Sequence, residues 1–354
     1  MSNLNHYYFY DQNGDRDILI GKLNCHERLL YLFLKNTKNF VLNMPLTFLS
    51  DICYYLSLTT DKNVNLSLTY NYDPMSEQIV ITDYKTGKGE KQLSKIITLL
   101  KAGEYVAIQP YGKRIPFEDD FIGYDASQVG DGGHMYMAVG YENNCLFLVI
   151  DDHEADMTTG LLSKCKDNDS IKIVGIDCLR PSFEIYLNYM TFSLSDNMES
   201  ISKKECFNEF LQISIKDFER KCEGNNDVYY GKQALGKLIE LCDDNDFYFT
   251  IQQSVGGSGF NVQDLNPWVR SFDSIRKRRH ILLYTLSNLE EISSKALTEV
   301  SSIINKDIEQ WETAKNILIK RIIQKENVQG KMLKKYIENI TQQEIQLFNM
   351  LKHM

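Results

Sequence analysis

The spacing of apolar and polar positions divides the chain into two stretches of different character. In the first, Met135–Tyr141 and Leu146–Ile150 are rich in strand-forming side chains and are separated by Glu142-Asn143-Asn144, a run of turn formers. The segment GDGGHMYMAVGYENNCLFLVIDD (130–152) therefore predicts a β-hairpin. Asn65–Tyr70, Ile79–Ile81, Tyr105–Gln109 and Ile171–Ile176 read as further strands. Lys91–Leu100 has the spacing of an amphipathic helix, closed by Ala102-Gly103. Asn24 stands at an N-cap position, and a helix starting at or just after Cys25 would bury Leu29, Leu30, Leu32, Phe33 and Leu34. Leu46–Leu58 is apolar behind Asn43-Met44-Pro45, a helix-entry signal, whereas Ile115–Gly133 reads as a loop rich in Asp and Gly.

Beyond residue 182 the period becomes helical. Lys203–Cys222 and Lys232–Cys242 carry apolar residues at helical spacing, Phe247–Gln252 is short and of either type, and SVGGSGFNVQDLNP is a breaker-rich link. From Trp268 an apolar stripe runs through Leu286, Val300, Ile304, Trp311 and Ile322, and after Gly330 a last helix carries Leu333, Ile337, Ile340 and Phe348. Such a stripe reads as domain core rather than a dimer zipper. The expected organisation is an α+β domain over 1–182 and a mostly helical domain over 183–354.

Composition narrows the function. At 354 residues, 43% hydrophobic and 25% charged, the chain is that of a globular protein with a full core. It has no run near the roughly 18 to 20 apolar residues of a membrane span, and its first residues lack the blocks of a signal peptide, so a cytoplasmic protein is expected. A net charge of −9 argues against nucleic-acid binding. The charge is uneven: residues 270–354 hold 15 Lys/Arg against 10 Asp/Glu. Arg276-Lys277-Arg278-Arg279-His280 is the densest basic run, read as a solvated helix face with the capacity to dock an acidic partner. The eight cysteines are scattered without CxxC, which argues against a zinc ribbon or a disulfide framework. Asp152-His153-Glu154-Ala155-Asp156 reads as a polar loop rather than a cation site, so no metal and no bound cofactor are expected.

Two features carry chemistry. The hairpin folds its outer ends together, bringing His134 beside the Asp151/Asp152 pair, and a carboxylate beside an imidazole orients it and favours its charged form. Cys25 at a helix start feels the positive end of the helix dipole, which favours the thiolate. Together they make a candidate Cys25–His134–Asp triad. Asp151 is the first choice for the acid and Asp152 the alternative, because one step of register exchanges which side chain faces His134.

This arrangement resembles the papain-like fold of bacteriocin-leader cysteine peptidases and, more closely, the butirosin-biosynthesis acyltransferase family, which includes the amide-forming enzyme of closthioamide assembly. The likeness rests on LNCHERLLYLFL around Cys25, on KAGEYVAIQPYGKRIPF leading to GGHMYMAVGY, and on a late GGSGF link followed by RRHILLYTLSNLEE and a helix around Trp311. It implies a papain-like domain over 1–182 and an N-acyltransferase of natural-product (nonribosomal peptide, antibiotic) biosynthesis. Such an enzyme moves an acyl group from a carrier-protein phosphopantetheine thioester onto Cys25, then to an amine or diamine, with His134 as base. The carrier protein is acidic, and the Arg276–His280 run is a docking candidate for it. The chain departs from the peptidase pattern at Leu19, where a glutamine oxyanion donor is expected. Such a donor is commonly worth about 3 to 4 kcal/mol, so a replacement is required. Asn24 with the Cys25 backbone N–H is the first candidate and Gln12 a weaker one. A cysteine peptidase or amide hydrolase, and a catalytically silent binding protein of the same fold, are the competing readings.

Overall fold

The computed structural model describes residues 52–58, 64–69, 79–111, 135–149, 171–183, 186–194, 203–222, 227–250, 266–289 and 292–354, with residues 23, 27, 29–31 and 33. It is α+β, and its chain divides into two compact units: Met1–Leu42, Ser76–Glu199 and Gly256–Phe260 form the first, and Asn43–Met75, Ser200–Val255 and Asn261–Met354 the second. The boundary expected at 182 falls just before a strand of the first unit, and the second unit recruits an early segment of chain.

Among the described residues, the strands in chain order are β1 (Tyr54–Leu58), β2 (Val64–Leu68), β3 (Ile79–Gly87), β4 (Val106–Tyr111), β5 (Tyr136–Glu142), β6 (Cys145–Val149), β7 (Ile171–Gly175), β8 (Tyr186–Leu194), β9 (Val228–Tyr230), β10 (Tyr248–Thr250) and β11 (Val328–Gln329). The first unit holds an antiparallel sheet of order β3-β8-β4-β5-β6-β7. Its β5–β6 hairpin closes through Asn143 and Asn144 at φ 50° and 60°, the left-handed pair whose twist matches that of the strands it joins. A register shift lies between Ala138 and Gly140. A Cβ on Gly140 would sit 2.7 Å from the Phe147 ring, so the close approach there requires glycine.

Helix α1 (Gly89–Lys101) places Leu93, Ile96 and Leu100 on one stripe, buried against Val106, Ile108, Tyr136, Ala138, Leu146, Leu148, Leu187 and Tyr189. Thirteen residues of isolated helix are marginal in water. Burial at roughly 1.5–3 kcal/mol per large aliphatic side chain decides that it forms. Gly103 at φ 86° follows its C-terminal end. Because side chains alternate along a strand, the neighbours of Leu187 and Tyr189 face the opposite side. There Asn188, Met190 and Phe192 are buried. Residues 27, 29–31 and 33 are helical, with Glu27, Leu29, Leu30 and Tyr31 buried. The Phe33 ring lies 5.5 Å from that of Phe192, so this helix meets the face of the sheet that α1 leaves open.

The second unit contains the β2-β1-β9 sheet, the β10-β11 pair and five long helices among its described residues: α2 (Lys203–Glu219), α3 (Gly231–Asp243), α4 (Pro267–Ser287), α5 (Ser294–Ile323) and α6 (Gly330–Leu351). Asn266 caps α4, its side chain accepting from the Trp268 and Val269 N–H groups, and Pro267 opens the helix where its missing N–H costs nothing. The rings of Phe247, Phe249, Trp268, Phe272, Trp311 and Tyr54 pack edge to face through the core. No described helix is long and apolar enough to cross a membrane.

Two expectations change here. The end of Leu46–Leu58 is strand rather than helix: Tyr54 and Leu56 face the core while Tyr55 and Ser57 are half-buried. Its ladders to β2 and β9 supply hydrogen bonds that a helix-entry signal upstream does not predict. YLNYMTFSL, read as part of the helical half, is β8, a strand inside the sheet between β3 and β4.

Candidate functional site

Cys25, His134, Asp151 and Asp152, with Asn24, Gln12 and Leu19, lie outside the described residues; what is described is their immediate frame. Two residues beyond Cys25, Glu27 is helical and 3% exposed. Tyr136, two residues beyond His134, opens β5, and Val149, two residues before Asp151, closes β6. The rungs Met137–Val149 and Ala138–Leu148 join these two strand ends. The hairpin anticipated from its two strand-forming runs and the turn residues between them is thus present, in the same unit as the helix that follows Cys25. Among the described residues, no group of three or more His, Cys, Asp and Glu side chains is arranged to hold a metal ion.

At this end of the sheet the structure adds a feature that the reading of the sequence passed over. The Asn188 Nδ2 on β8 donates to Gln109 Oε1 on β4 at 3.1 Å, across the rung that pairs the two residues. Gln109 directly follows Ile108, the partner of Tyr136. Asn188 is 4% exposed, and its Oδ1 is buried with no hydrogen-bond partner among the described residues. The signal was available: each is a lone amide inside an otherwise apolar strand core, VAIQP and YLNYM.

The basic run 276–280 is not the solvated face expected from its sequence. Arg278 and Arg279 are buried. Arg276 and Lys277 both reach Asp273, at 2.7 and 2.9 Å, and Arg276 also pairs with Glu312 at 2.8 Å. The buried Lys315 contacts Asp273 at 3.1 Å. Burial opposes the charge of Asp273, but Lys277, Arg276 and Lys315 outweigh it and hold its carboxyl well below the ordinary carboxylate range. Arg279 donates through Nε to Asp307 Oδ2 at 3.0 Å, through Nη2 to both Glu344 oxygens at 2.6 and 2.7 Å, and through Nη1 to the Ile52 carbonyl at 2.7 Å. Trp311 Nε1 donates to Glu344 as well, at 3.1 Å. The physical reason for the correction is that Asp273 on α4 itself, Glu312 and Asp307 on α5 and Glu344 on α6 engage Arg276, Lys277 and Arg279 inside the second unit.

Cys53 and Cys242, both buried, are thiols of a different kind from the one sought. Burial pushes the Cys242 thiol up to about 12, and Asp243 adds to the effect. Burial likewise raises Cys53 far above the ordinary thiol range. Both are core residues without nucleophilic character at neutral pH. No family model and no curated protein matches the sequence.

Proposed function

We propose that this protein is an amide-forming N-acyltransferase of papain-like fold, which draws an acyl group from a carrier-protein thioester onto Cys25 and passes it to a small amine. The observation that carries the reading is the β5–β6 hairpin. Its rung Met137–Val149 joins the strand that begins two residues after His134 to the strand that ends two residues before Asp151. The buried helix following Cys25, resting on Phe192 of the same sheet, supports it from the other side.

In this mechanism the Cys25 thiolate attacks the thioester carbonyl, forming a C–S bond as the bond to the pantetheine sulfur breaks, and that sulfur leaves as thiol by taking the proton of the His134 imidazolium, which becomes the neutral base. Exchange between two thioesters is close to isoenergetic, so the step needs position more than driving force. The amine then forms the C–N bond, the bond to Cys25 breaks, and His134 carries a proton from nitrogen to the departing sulfur. Excluding water favours the amine over hydrolysis.

The test is intact-protein mass spectrometry after incubation with an acyl-pantetheine thioester. A mass increase equal to the acyl group, lost in Cys25→Ala, is expected. An unmodified wild type, or an adduct retained in Cys25→Ala, rejects the proposal. Release of free acid at the same rate with and without amine identifies a hydrolase instead.

A further inference from the structure

The cysteines are scattered along the chain, yet the fold gathers two of them at one corner of the sheet. Leu146 and Val174 pair across β6 and β7 and are buried against α1. The next rung, Cys145–Gly175, therefore turns its side-chain positions to the opposite face. Residues directly opposite each other in an antiparallel pair carry Cβ atoms about 4.5–5.5 Å apart, and a Cβ on Gly175 would meet Cys178 Sγ at 4.0 Å. Gly175 thus stands between the two cysteines without a side chain to part them. Two further contacts turn both the same way along the strands. Cys145 Sγ lies 3.6 Å from the Asn143 carbonyl oxygen and so leans toward the hairpin turn. The Ile176 N–H donates to the Asn144 carbonyl at 2.9 Å, which brings the single helical turn Ile176–Leu179, and Cys178 with it, to that same end.

Cys178 is exposed and Cys145 half-buried, the arrangement of an attacking thiol with a resolving thiol behind it. We propose that Cys145 and Cys178 form a reversible modification site, joined as a disulfide by low-molecular-weight disulfides of the glutathione class. The Cys178 thiolate attacks one sulfur of glutathione disulfide, whose S–S bond breaks, and one glutathione leaves as thiol. The Cys145 thiolate then attacks the Cys178 sulfur, and the second glutathione leaves as thiol. Two protein thiols are oxidised and one small disulfide is reduced, its two glutathione products carrying away the two protons. A disulfide joins Cβ atoms about 3.5–4.5 Å apart. Rotation of both side chains about χ1 supplies most of that approach, and a helix of one turn, with no side-chain cap at its start, absorbs the rest. The bond fastens β7, the outermost strand, to the turn end of its neighbour β6 and closes residues 145–178 into a ring. Neither cysteine belongs to the acyl-transfer site.

The experiment reduces the full-length folded protein, removes the reductant, adds glutathione disulfide, and traps samples over time with N-ethylmaleimide for peptide mapping without reduction. In wild type the peptide carrying Cys145 is expected to be joined to the peptide carrying Cys178, at a rate independent of protein concentration. In Cys145→Ser the reaction is expected to stop at a Cys178–glutathione adduct, at least about tenfold more abundant than in wild type, because the neighbouring thiol that resolves it acts within the same molecule. Dithiothreitol is expected to restore both thiols. A wild type that accumulates the Cys178 adduct as Cys145→Ser does, one that joins Cys178 to Cys165 or to any other thiol, or one whose Cys178 stays unmodified overturns the pairing. A link whose rate rises with protein concentration joins two molecules and overturns it as well.

Discussion

Replacing Arg279 by Met tests the argument that the 276–280 run belongs to the core. The side chain is fully buried and its guanidinium serves Asp307, Glu344 and the Ile52 carbonyl. Its removal leaves two carboxyl groups and a backbone carbonyl without that donor, and Met fills the volume without replacing the charge. Breaking a buried ion pair from one side costs about 3–5 kcal/mol. With a guanidinium slope of roughly 4 kcal/mol/M, that is a loss of about 1 M in the unfolding midpoint. Asp307→Asn is the control that makes the test sharp. Burial raises the Asp307 carboxyl well above its ordinary value, Glu344 adds to this, and Arg279 opposes it. A folded-state pKa above the unfolded one gives a contribution that is full below the ordinary carboxylate value and is lost as pH rises through the raised value. Between those two values the folded protein carries the Asp307 proton. The neutral Asn substitution is therefore expected to cost under about 1 kcal/mol there, and to flatten the fall in stability at higher pH. Chemical unfolding over a pH series reads both effects. An Arg279→Met protein within about 1 kcal/mol of wild type, or an Asp307→Asn protein as damaged as Arg279→Met, refutes the reasoning.

Other outcomes follow from the frame of the site. Asp151→Asn, the first choice for the orienting acid, is expected to slow acyl transfer more than Asp152→Asn, and the reverse order in single-turnover rates makes Asp152 the acid that serves His134. Asn24→Ala is expected to lower acyl transfer at least about tenfold without unfolding the protein if its side chain supplies the missing oxyanion donor; an unchanged rate removes it from the mechanism. With iodoacetamide at about pH 7.5, peptide mapping is expected to show Cys25 labelled before the exposed Cys178, with Cys53 and Cys242 protected until the chain unfolds. Labelling of Cys178 ahead of Cys25 counts against an activated thiolate. Gly231 has φ 45° and a Cβ there would meet the Phe218 backbone at 2.3 Å, so Gly231→Ala is expected to cost at least about 2 kcal/mol in denaturant unfolding.

What the sequence reveals depends on how local the cause is. The β5–β6 turn and the end of α1 are written in adjacent residues, Asn143-Asn144 and Ala102-Gly103, and both were legible. The helices α4 to α6 declare themselves by a stripe many turns long. Strand β8 does not: Leu187, Asn188, Tyr189, Met190, Thr191 and Phe192 are all buried, so no alternation separates an inner from an outer face. The burial of Arg279 is equally hidden, because its partners lie 28 and 65 residues further on, while every local cue in a run of Arg and Lys speaks of solvent. The expected triad joins distant points of the chain: the helix start at Asn24-Cys25 and the hairpin end are each read from local pattern, whereas their meeting is not.

Strand β1 is synthesised long before the residues that enclose it. The Ile52 carbonyl waits for Arg279, which in turn needs Glu344, so at ordinary ribosome speeds the early β1–β2 ribbon emerges on the order of 15–60 s ahead of α6. During that interval its aromatic edge is an invitation to wrong pairing. A chaperone that shelters nascent strands, or a slower-growing host, should raise the soluble yield of this chain more than any change to its surface.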